Sequence, residues 1–151
     1  MDLPTVYNGY HCDQTRTYIV GKASASIRAL YYGLKDISDY VIAGISPGKK
    51  CSEIFHLAWE RARELKLEKY FMSFGERHNT SFIGHGIGLE CNELPMVSPH
   101  DHSVIESGCT VALDLHMLHP GVGAVKLEDT VLVTGAGAEI LNVSPRDLIE
   151  V

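Results

Sequence analysis

The strongest constraint on the fold is a change of periodicity near Ser81, where a helical pattern is followed by strand patterns. Apolar residues recur at three- and four-residue steps in residues 22–45 and 52–65, which predicts two amphipathic helices. Glycine-rich and alternating segments then predict strands at residues 81–90, 109–118, 122–134 and 140–143. Near the N-terminus, the turn dipeptide Asn8-Gly9 separates two further strand-like runs. Two helices between β segments indicate an α+β fold or a mixed sandwich.

The charge balance excludes several classes of partner. The 151 residues include 13 basic and 19 acidic side chains, for a formal charge of −6, and no basic block is present. A nucleic-acid groove or an anionic membrane surface requires positive potential, so neither partner is expected. The longest apolar run is far shorter than the ~20 residues that span a bilayer. The first residues lack the basic and apolar regions of a secretory signal, so we expect a cytoplasmic protein.

Four acidic residues and one histidine lie in or beside predicted strands, where an unpaired charge is costly. They are Asp2, Asp13, His85, Asp114 and Glu128. Asp114 is the clearest case, because it interrupts the apolar run Val-Ala-Leu-Asp-Leu. Four carboxylates with one imidazole suit Mn, Co, Fe or Zn in a two-metal site, and such sites support hydrolysis. The alternative interpretation is a set of edge or hairpin charges that face water.

Four stretches, in the same order and through nearly the whole chain, resemble the catalytic half of the metallopeptidases with the pita-bread fold. They are residues 2–17, 82–95, 105–109 and 125–134. The family includes methionine aminopeptidases, Xaa-Pro aminopeptidases, prolidases and the metal-free creatinase, and residues 84–90 and 127–134 are most similar to the Xaa-Pro peptidases. The resemblance implies the C-terminal portion of that fold, a curved antiparallel sheet with helices packed on its outer face.

The resemblance also implies a role for each candidate residue. Asp2 would bind one divalent ion, His85 would bind the other, and Asp13 and Glu128 would bridge both. Asp114 stands where the family usually has a glutamate ligand, and it would also carry the proton. In this family mechanism a metal-bridging hydroxide attacks the carbonyl of an N-terminal peptide bond.

Two positions depart from the family pattern. Asn92 lies seven residues after His85, where the peptidases usually have a second histidine. An amide can donate a hydrogen bond to a developing oxyanion but cannot carry a proton, and losing one such stabiliser typically costs ~10²–10³ in kcat. Asp114 is one methylene shorter than the usual glutamate, which changes its reach as a base. Arg16 would support the strand that holds Asp13.

Two further histidines are candidate substrate contacts. His78 precedes the glycine-rich strand, near the place where proline-specific relatives contact substrate. His116 follows Asp114 on the same predicted strand and is expected to line the cleft, with an ordinary loop residue as the alternative. Both residues are assigned to substrate binding, together with Asn92.

The resemblance also bears on domain organisation and partners. The family fold pairs two β-α halves, and the first half normally precedes Asp2. We therefore expect residues 1–151 to form a single domain that is the catalytic half of a longer metallopeptidase. An incomplete sheet leaves exposed strand edges, so we expect either a homodimer or pairing with the missing N-terminal half.

Together these features predict a metal-dependent exopeptidase domain, most like an Xaa-Pro dipeptidase or aminopeptidase acting on small peptides. The alternative, which Asn92, Asp114 and the short chain favour, is a catalytically impaired pseudo-peptidase that serves as a binding or scaffold module. A creatinase-like amidinohydrolase fits less well, because metal-free relatives tend to lose the ligands and most are kept here. The glycines do not complete a G-x-G-x-x-G motif, so nucleotide binding is not expected.

Overall fold

The computed structural model describes residues 1–75 and 79–151 and has the α+β architecture that the periodicity predicts. The hairpin strands β1 (Thr5–Tyr7) and β2 (Tyr10–Cys12) and the short β3 (Tyr18–Ile19) precede the helices α1 (Ala25–Gly44) and α2 (Cys51–Glu64). The remaining strands are β4 (Gly84–Gly86), β5 (Glu93–Val97), β6 (Thr110–His119), β7 (Gly123–Thr134), β8 (Gly137–Ile140) and β9 (Ile149–Glu150).

Local signals in the sequence account for the ends of several elements. Asn8 and Gly9 both have positive φ, at 49° and 83°, which is the geometry of the tight turn that joins β1 to β2. Ser24 precedes α1, and its hydroxyl accepts a hydrogen bond from the amide of Ile27. The predicted helix from residue 22 therefore begins at Ala25.

The five-stranded sheet is antiparallel throughout, in the order β5-β4-β6-β7-β8. Side chains alternate between its two faces. On β6, Val111, Leu113 and Leu115 belong to the buried core with the helices, so Ala112 and Asp114 point to the opposite face. One face of the sheet therefore packs on helices, and the other is free to carry polar side chains.

The core lies between the two helices and the sheet. The buried face of α1 includes Leu34 and Ile37, both fully inaccessible to solvent, and it packs on β6 and β7. Burying a side chain of this size stabilises the fold by about 1.5–3 kcal/mol. Within residues 1–75 and 79–151, neither helix combines the length and the apolar character needed to cross a membrane.

Two predicted strands differ from the structure. The predicted strand at residues 81–90 is reduced to Gly84–Gly86, because a bulge after His85 shifts the register with β5 and the chain then bends. The predicted last strand at residues 140–143 lies instead at Gly137–Ile140. It ends there because the side-chain oxygen of Asn142 accepts the hydrogen bond of the Thr130 amide, at 2.6 Å, in place of a backbone partner. The strands β5 and β9 were not predicted.

Candidate metal centre

The sheet brings three of the predicted ligands together on its helix-free face. His85 pairs with Ala112, and Asp114 pairs with Glu128, in the registers of β4, β6 and β7. Since Ala112 and Asp114 are two residues apart on β6, all four side chains share one face. Isolated bridges of Thr15 with Asp2 and with Glu128 then bring the segment containing Asp13 alongside β7.

Asp13, His85 and Glu128 form a compact buried cluster. One ligand atom from each lies within 4.8 Å of the others, and all three residues are buried. The ring nitrogen Nδ1 of His85 donates to the carbonyl oxygen of Gly86, at 3.0 Å. In the neutral ring this bond places the lone pair on Nε2, which is the arrangement typical of metal-binding histidines.

The carboxylates of the cluster fit a cation. Asp13 is 8% exposed, and its Oδ1 has no hydrogen-bond partner among the described residues. Its Oδ2 accepts from the Cys91 thiol at 3.4 Å. Burial, reinforced by the charge of Asp114, raises the pKa of Glu128 to about 7, although the hydroxyl of Thr15 donates to Glu128 at 2.8 Å. A buried carboxylate oxygen without a donor, in one cluster with a second carboxylate and an imidazole, is a suitable donor set for a divalent ion.

The other two predicted ligands, Asp2 and Asp114, contact a lysine. Lys126 Nζ lies 2.6 Å from Asp2 Oδ2, 3.2 Å from Asp114 Oδ1 and 3.4 Å from Glu128 Oε2. The contact with Asp114 is an ion pair without the angles of a hydrogen bond. Burial alone would lower the pKa of Lys126, but the bond to Asp2 and the charges of Asp114 and Glu128 outweigh it and raise that pKa. The five predicted ligands thus fall into two groups. Asp13, His85 and Glu128 form an inner cluster. Asp2 and Asp114 form an outer pair that contacts the ammonium of Lys126.

The three candidate substrate residues have different positions. Asn92 is exposed in the bend before β5, next to Cys91, whose thiol reaches Asp13. His116 lines a cavity and packs against Phe74, with 4.4 Å between ring centroids. Burial lowers the pKa of His116, and within the described part of the chain its Nε2 has no hydrogen-bond partner. His78 lies outside the described residues.

A cavity of about 510 Å³ opens beside the outer pair, with Asp114, His116 and Lys126 in its wall. Its volume falls in the range of small-molecule pockets. Most of the wall is apolar, and it includes Tyr18, Met72, Phe74, Phe82, Met117 and Leu118. An apolar group in this space would lie near the carboxylate of Asp114.

The glycines on either side of His85 allow the neighbouring strands to approach closely. A Cβ atom on Gly86 would lie 2.5 Å from the carbonyl oxygen of Leu94, and one on Gly84 would lie 2.5 Å from that of Ala112. Both obstacles are backbone atoms, which cannot move aside as a flexible side chain can. We therefore infer that these glycines hold His85 at its position between β5 and β6.

Gly86→Ala is expected to destabilise the fold by about 1–3 kcal/mol, because the new methyl group must push β5 away. The displacement should also move His85 and weaken Mn²⁺ binding. Urea unfolding and Mn²⁺ titration measure the two effects. Gly135→Ala is the matched control, since a Cβ there meets none of the described atoms within 4 Å. Equal stability of the two variants would contradict the role assigned to Gly86.

The sequence interpretation missed Thr15, Cys91 and Lys126 as parts of the site. Lys126 had a detectable signal, because it precedes Glu128 by two residues on one strand and must share its face. Thr15 and Cys91 had no such signal, because both lie outside the named strands and reach the site from irregular segments.

Comparison with known proteins identifies the family of this chain. The model of metallopeptidase family M24 matches residues 1–135. The chain belongs to metallopeptidase family M24. This M24 chain is 32% identical to the Xaa-Pro dipeptidase of Pyrococcus furiosus, over 99% of its own length and 40% of that protein. The family resemblance stated above is therefore confirmed.

Solved structures confirm the predicted fold class. The prolidase from Pyrococcus furiosus superposes with a TM-score of 0.84 at 31% identity, over 95% of this M24 chain and 40% of that chain. The X-Pro aminopeptidase from Thermotoga maritima gives a TM-score of 0.89 over 99% of this chain and 40% of its own, and at 23% identity it supports the fold alone. The M24 chain therefore spans about 40% of the length of these relatives.

Proposed function

We propose that this chain is the metal-binding catalytic part of an exopeptidase that hydrolyses N-terminal peptide bonds, most like an Xaa-Pro dipeptidase or aminopeptidase. The observation that carries the proposal is the buried cluster of Asp13, His85 and Glu128, together with Asp114, which pairs with Glu128 and lies in the wall of a largely apolar cavity. The likeness to the Pyrococcus furiosus Xaa-Pro dipeptidase supports the substrate class. Small peptides are the expected substrates.

The proposed role of each residue follows from its position in the site. Asp13, His85 and Glu128 would hold a divalent ion (Mn, Co, Fe or Zn). The family resemblance implies a second ion at Asp2 and Asp114, the two carboxylates that Lys126 contacts in the structure. Such ions polarise a carbonyl and lower the pKa of water, which is the chemistry of hydrolysis. Asp114 lies in the wall of the cavity, so its carboxylate can take and return the proton of the attacking water.

Asn92 and His116 are the residues that we assign to substrate. The exposed amide of Asn92 can donate a hydrogen bond to the developing oxyanion. His116 presents a ring of lowered pKa, hence mainly neutral, to the cavity. A neutral imidazole beside Phe74 suits contact with an apolar or proline-containing residue. His78 remains a candidate for the same role from the sequence alone.

The test is hydrolysis of Xaa-Pro dipeptides and tripeptides by the complete gene product that contains this chain, loaded with Mn²⁺ or Co²⁺. We expect release of the N-terminal residue, loss of activity with a chelator and its recovery with added metal. Matched Xaa-Ala peptides measure the preference for proline. Absence of metal-dependent hydrolysis with every peptide would refute the proposal, and faster cleavage of Xaa-Ala would refute the proline preference.

A second candidate function is that of a binding or scaffold module that keeps the fold without catalysis. Two observations favour it, the amide at Asn92 and the ammonium of Lys126 among the carboxylates. Metal analysis separates the candidates. A scaffold should bind Mn²⁺ sub-stoichiometrically and with micromolar or weaker affinity, whereas a peptidase should bind at least one ion per chain.

The exposed edges of the fold also support a partner. The hairpin of β1 and β2 pairs with no third strand in the described ranges, and its Val6, Tyr7 and Tyr10 are 59–81% exposed. Large apolar side chains in a row on a short hairpin are typical of an interface. We expect either a second copy or the remaining part of a longer protein to cover this hairpin.

A further inference from the structure

The carboxylates of the candidate centre fall into two groups with different partners. The inner group has Asp13 and Glu128 within 4.8 Å of His85, in buried surroundings. The outer group is Asp2 and Asp114, and both contact the ammonium of Lys126. The same ammonium reaches Glu128 at 3.4 Å, so it lies on the border between the groups.

Lys126 is held at that border by its own strand. It is two residues from Glu128 on β7 and therefore points to the same face, and its backbone pairs with His116 on β6. The hydroxyl of Thr17 donates to the carbonyl of Lys126 at 2.7 Å and accepts from its amide at 3.0 Å. The side chain of Lys126 is 30% exposed, so most of its stem is packed against protein. Its ammonium cannot leave the carboxylates without losing three ion pairs.

A second divalent ion would change the sign of the net charge at the centre. Four carboxylates and one ammonium carry a formal charge of −3 when all are ionised. One divalent ion in the inner cluster leaves −1, and a second ion changes the sign to +1 in a partly buried site. That second ion would also have to share Asp2 and Asp114 with a lysine a few ångströms away, and like charges at that distance repel.

We propose that Lys126 occupies the second cation position of this centre, so that the chain takes one divalent ion at Asp13, His85 and Glu128 and excludes a second from Asp2 and Asp114. This inference rests on the metal centre of the proposed function. It makes Lys126 a residue that determines metal stoichiometry. The ammonium supplies a fixed positive charge for the outer carboxylates without a second ion.

The test is a titration of the metal-free chain with Mn²⁺, followed by isothermal calorimetry and by electron paramagnetic resonance. We expect one Mn²⁺ per wild-type chain and a spectrum of isolated ions. Lys126→Met removes the charge and keeps most of the length, so it should bind two Mn²⁺ with the spectrum of a coupled pair. Affinity for the second ion should rise by roughly 10- to 100-fold when one like charge is removed.

Three further variants test whether the charge of Lys126 is what limits the number of bound ions. Lys22→Met changes a lysine whose side chain is 89% exposed and should bind one ion, like the wild type. Lys126→Arg keeps the charge and should also bind one. Lys126→Gln repeats the test with a polar neutral side chain, and circular dichroism identifies any variant that fails to fold.

The possible outcomes separate this inference from the proposed function. Two ions of similar affinity in the wild type, or one ion in both Lys126→Met and Lys126→Gln, would overturn the role of Lys126 and leave the metal centre intact. No bound Mn²⁺ in any of the proteins would overturn the metal centre itself. One ion in the wild type and two in the neutral variants would support both.

Discussion

Asp13→Ala is expected to abolish high-affinity metal binding by the chain and metal-dependent hydrolysis by the protein that contains it. Loss of a residue that only supports a ligand typically weakens metal affinity 10–100-fold, so loss of the ligand itself should weaken it by more than about 100-fold. Calorimetric titration with Mn²⁺ measures the affinity directly. Peptide hydrolysis at saturating metal gives the second readout.

Stability without metal distinguishes a ligand from a structural residue. Asp13 is buried, and no described residue donates to its Oδ1, so the carboxylate costs free energy in the metal-free fold. The metal-free Asp13→Ala chain should therefore be as stable as the wild type or more stable. Added Mn²⁺ at 100 times its Kd should stabilise the wild type by about 2.7 kcal/mol and the variant far less.

The control for this experiment is Glu139→Gln, which removes an exposed carboxylate from the edge strand β8. It should bind Mn²⁺ with the wild-type affinity. If Asp13→Ala bound Mn²⁺ as tightly as this control, Asp13 would not be a ligand, and the inner cluster would have to be abandoned.

Much of the fold could be predicted because its signals are local. The two helices follow from three- and four-residue apolar steps, and the first turn follows from Asn8-Gly9, whose positive φ values few other pairs adopt as readily. The ends of the strands were harder. The strand β8 ends where the side-chain oxygen of Asn142 accepts a hydrogen bond from the amide of Thr130 in place of a backbone oxygen. The periodicity of apolar residues does not predict such a side-chain contact.

The five candidate ligands could be selected from the sequence, but neither their division into two groups nor their contacts with Thr15, Cys91 and Lys126 could be predicted. A charge inside an apolar strand drew attention to Asp114 and Glu128, and the register of β6 and β7 places them opposite each other. The division into an inner and an outer group depends on Lys126, whose ammonium lies at the end of a long flexible stem. Where such a stem points depends on tertiary packing, so spacing along the chain could not decide it.

Asp129→Ala is expected to destabilise the chain by about 3–5 kcal/mol, because it leaves the buried guanidinium group of Arg16 without its carboxylate and removes one of the two carboxylates that bind the partly buried Arg146. Asp129 follows Glu128 on β7 and so points to the opposite face, toward α1. Its side chain is inaccessible to solvent and accepts from Arg16 at 2.6 Å and from Arg146 at 2.7 Å. Urea unfolding of the metal-free chain measures the loss.

The same change should reach the metal centre through Arg16, in keeping with the supporting role predicted for that residue. Arg16 Nη1 donates to the backbone oxygens of Thr15 and Glu128, at 2.9 and 2.7 Å, and so ties the segment after Asp13 to β7. Without Asp129 the guanidinium of Arg16 loses its carboxylate partner and keeps backbone acceptors, so Mn²⁺ affinity should fall, although less than in Asp13→Ala. Lys22→Ala, which breaks an ion pair at a side chain that is 89% exposed, should leave the urea midpoint unchanged. If Asp129→Ala were as stable as Lys22→Ala, the ion pairs of Asp129 would not be what holds the segment after Asp13 against β7.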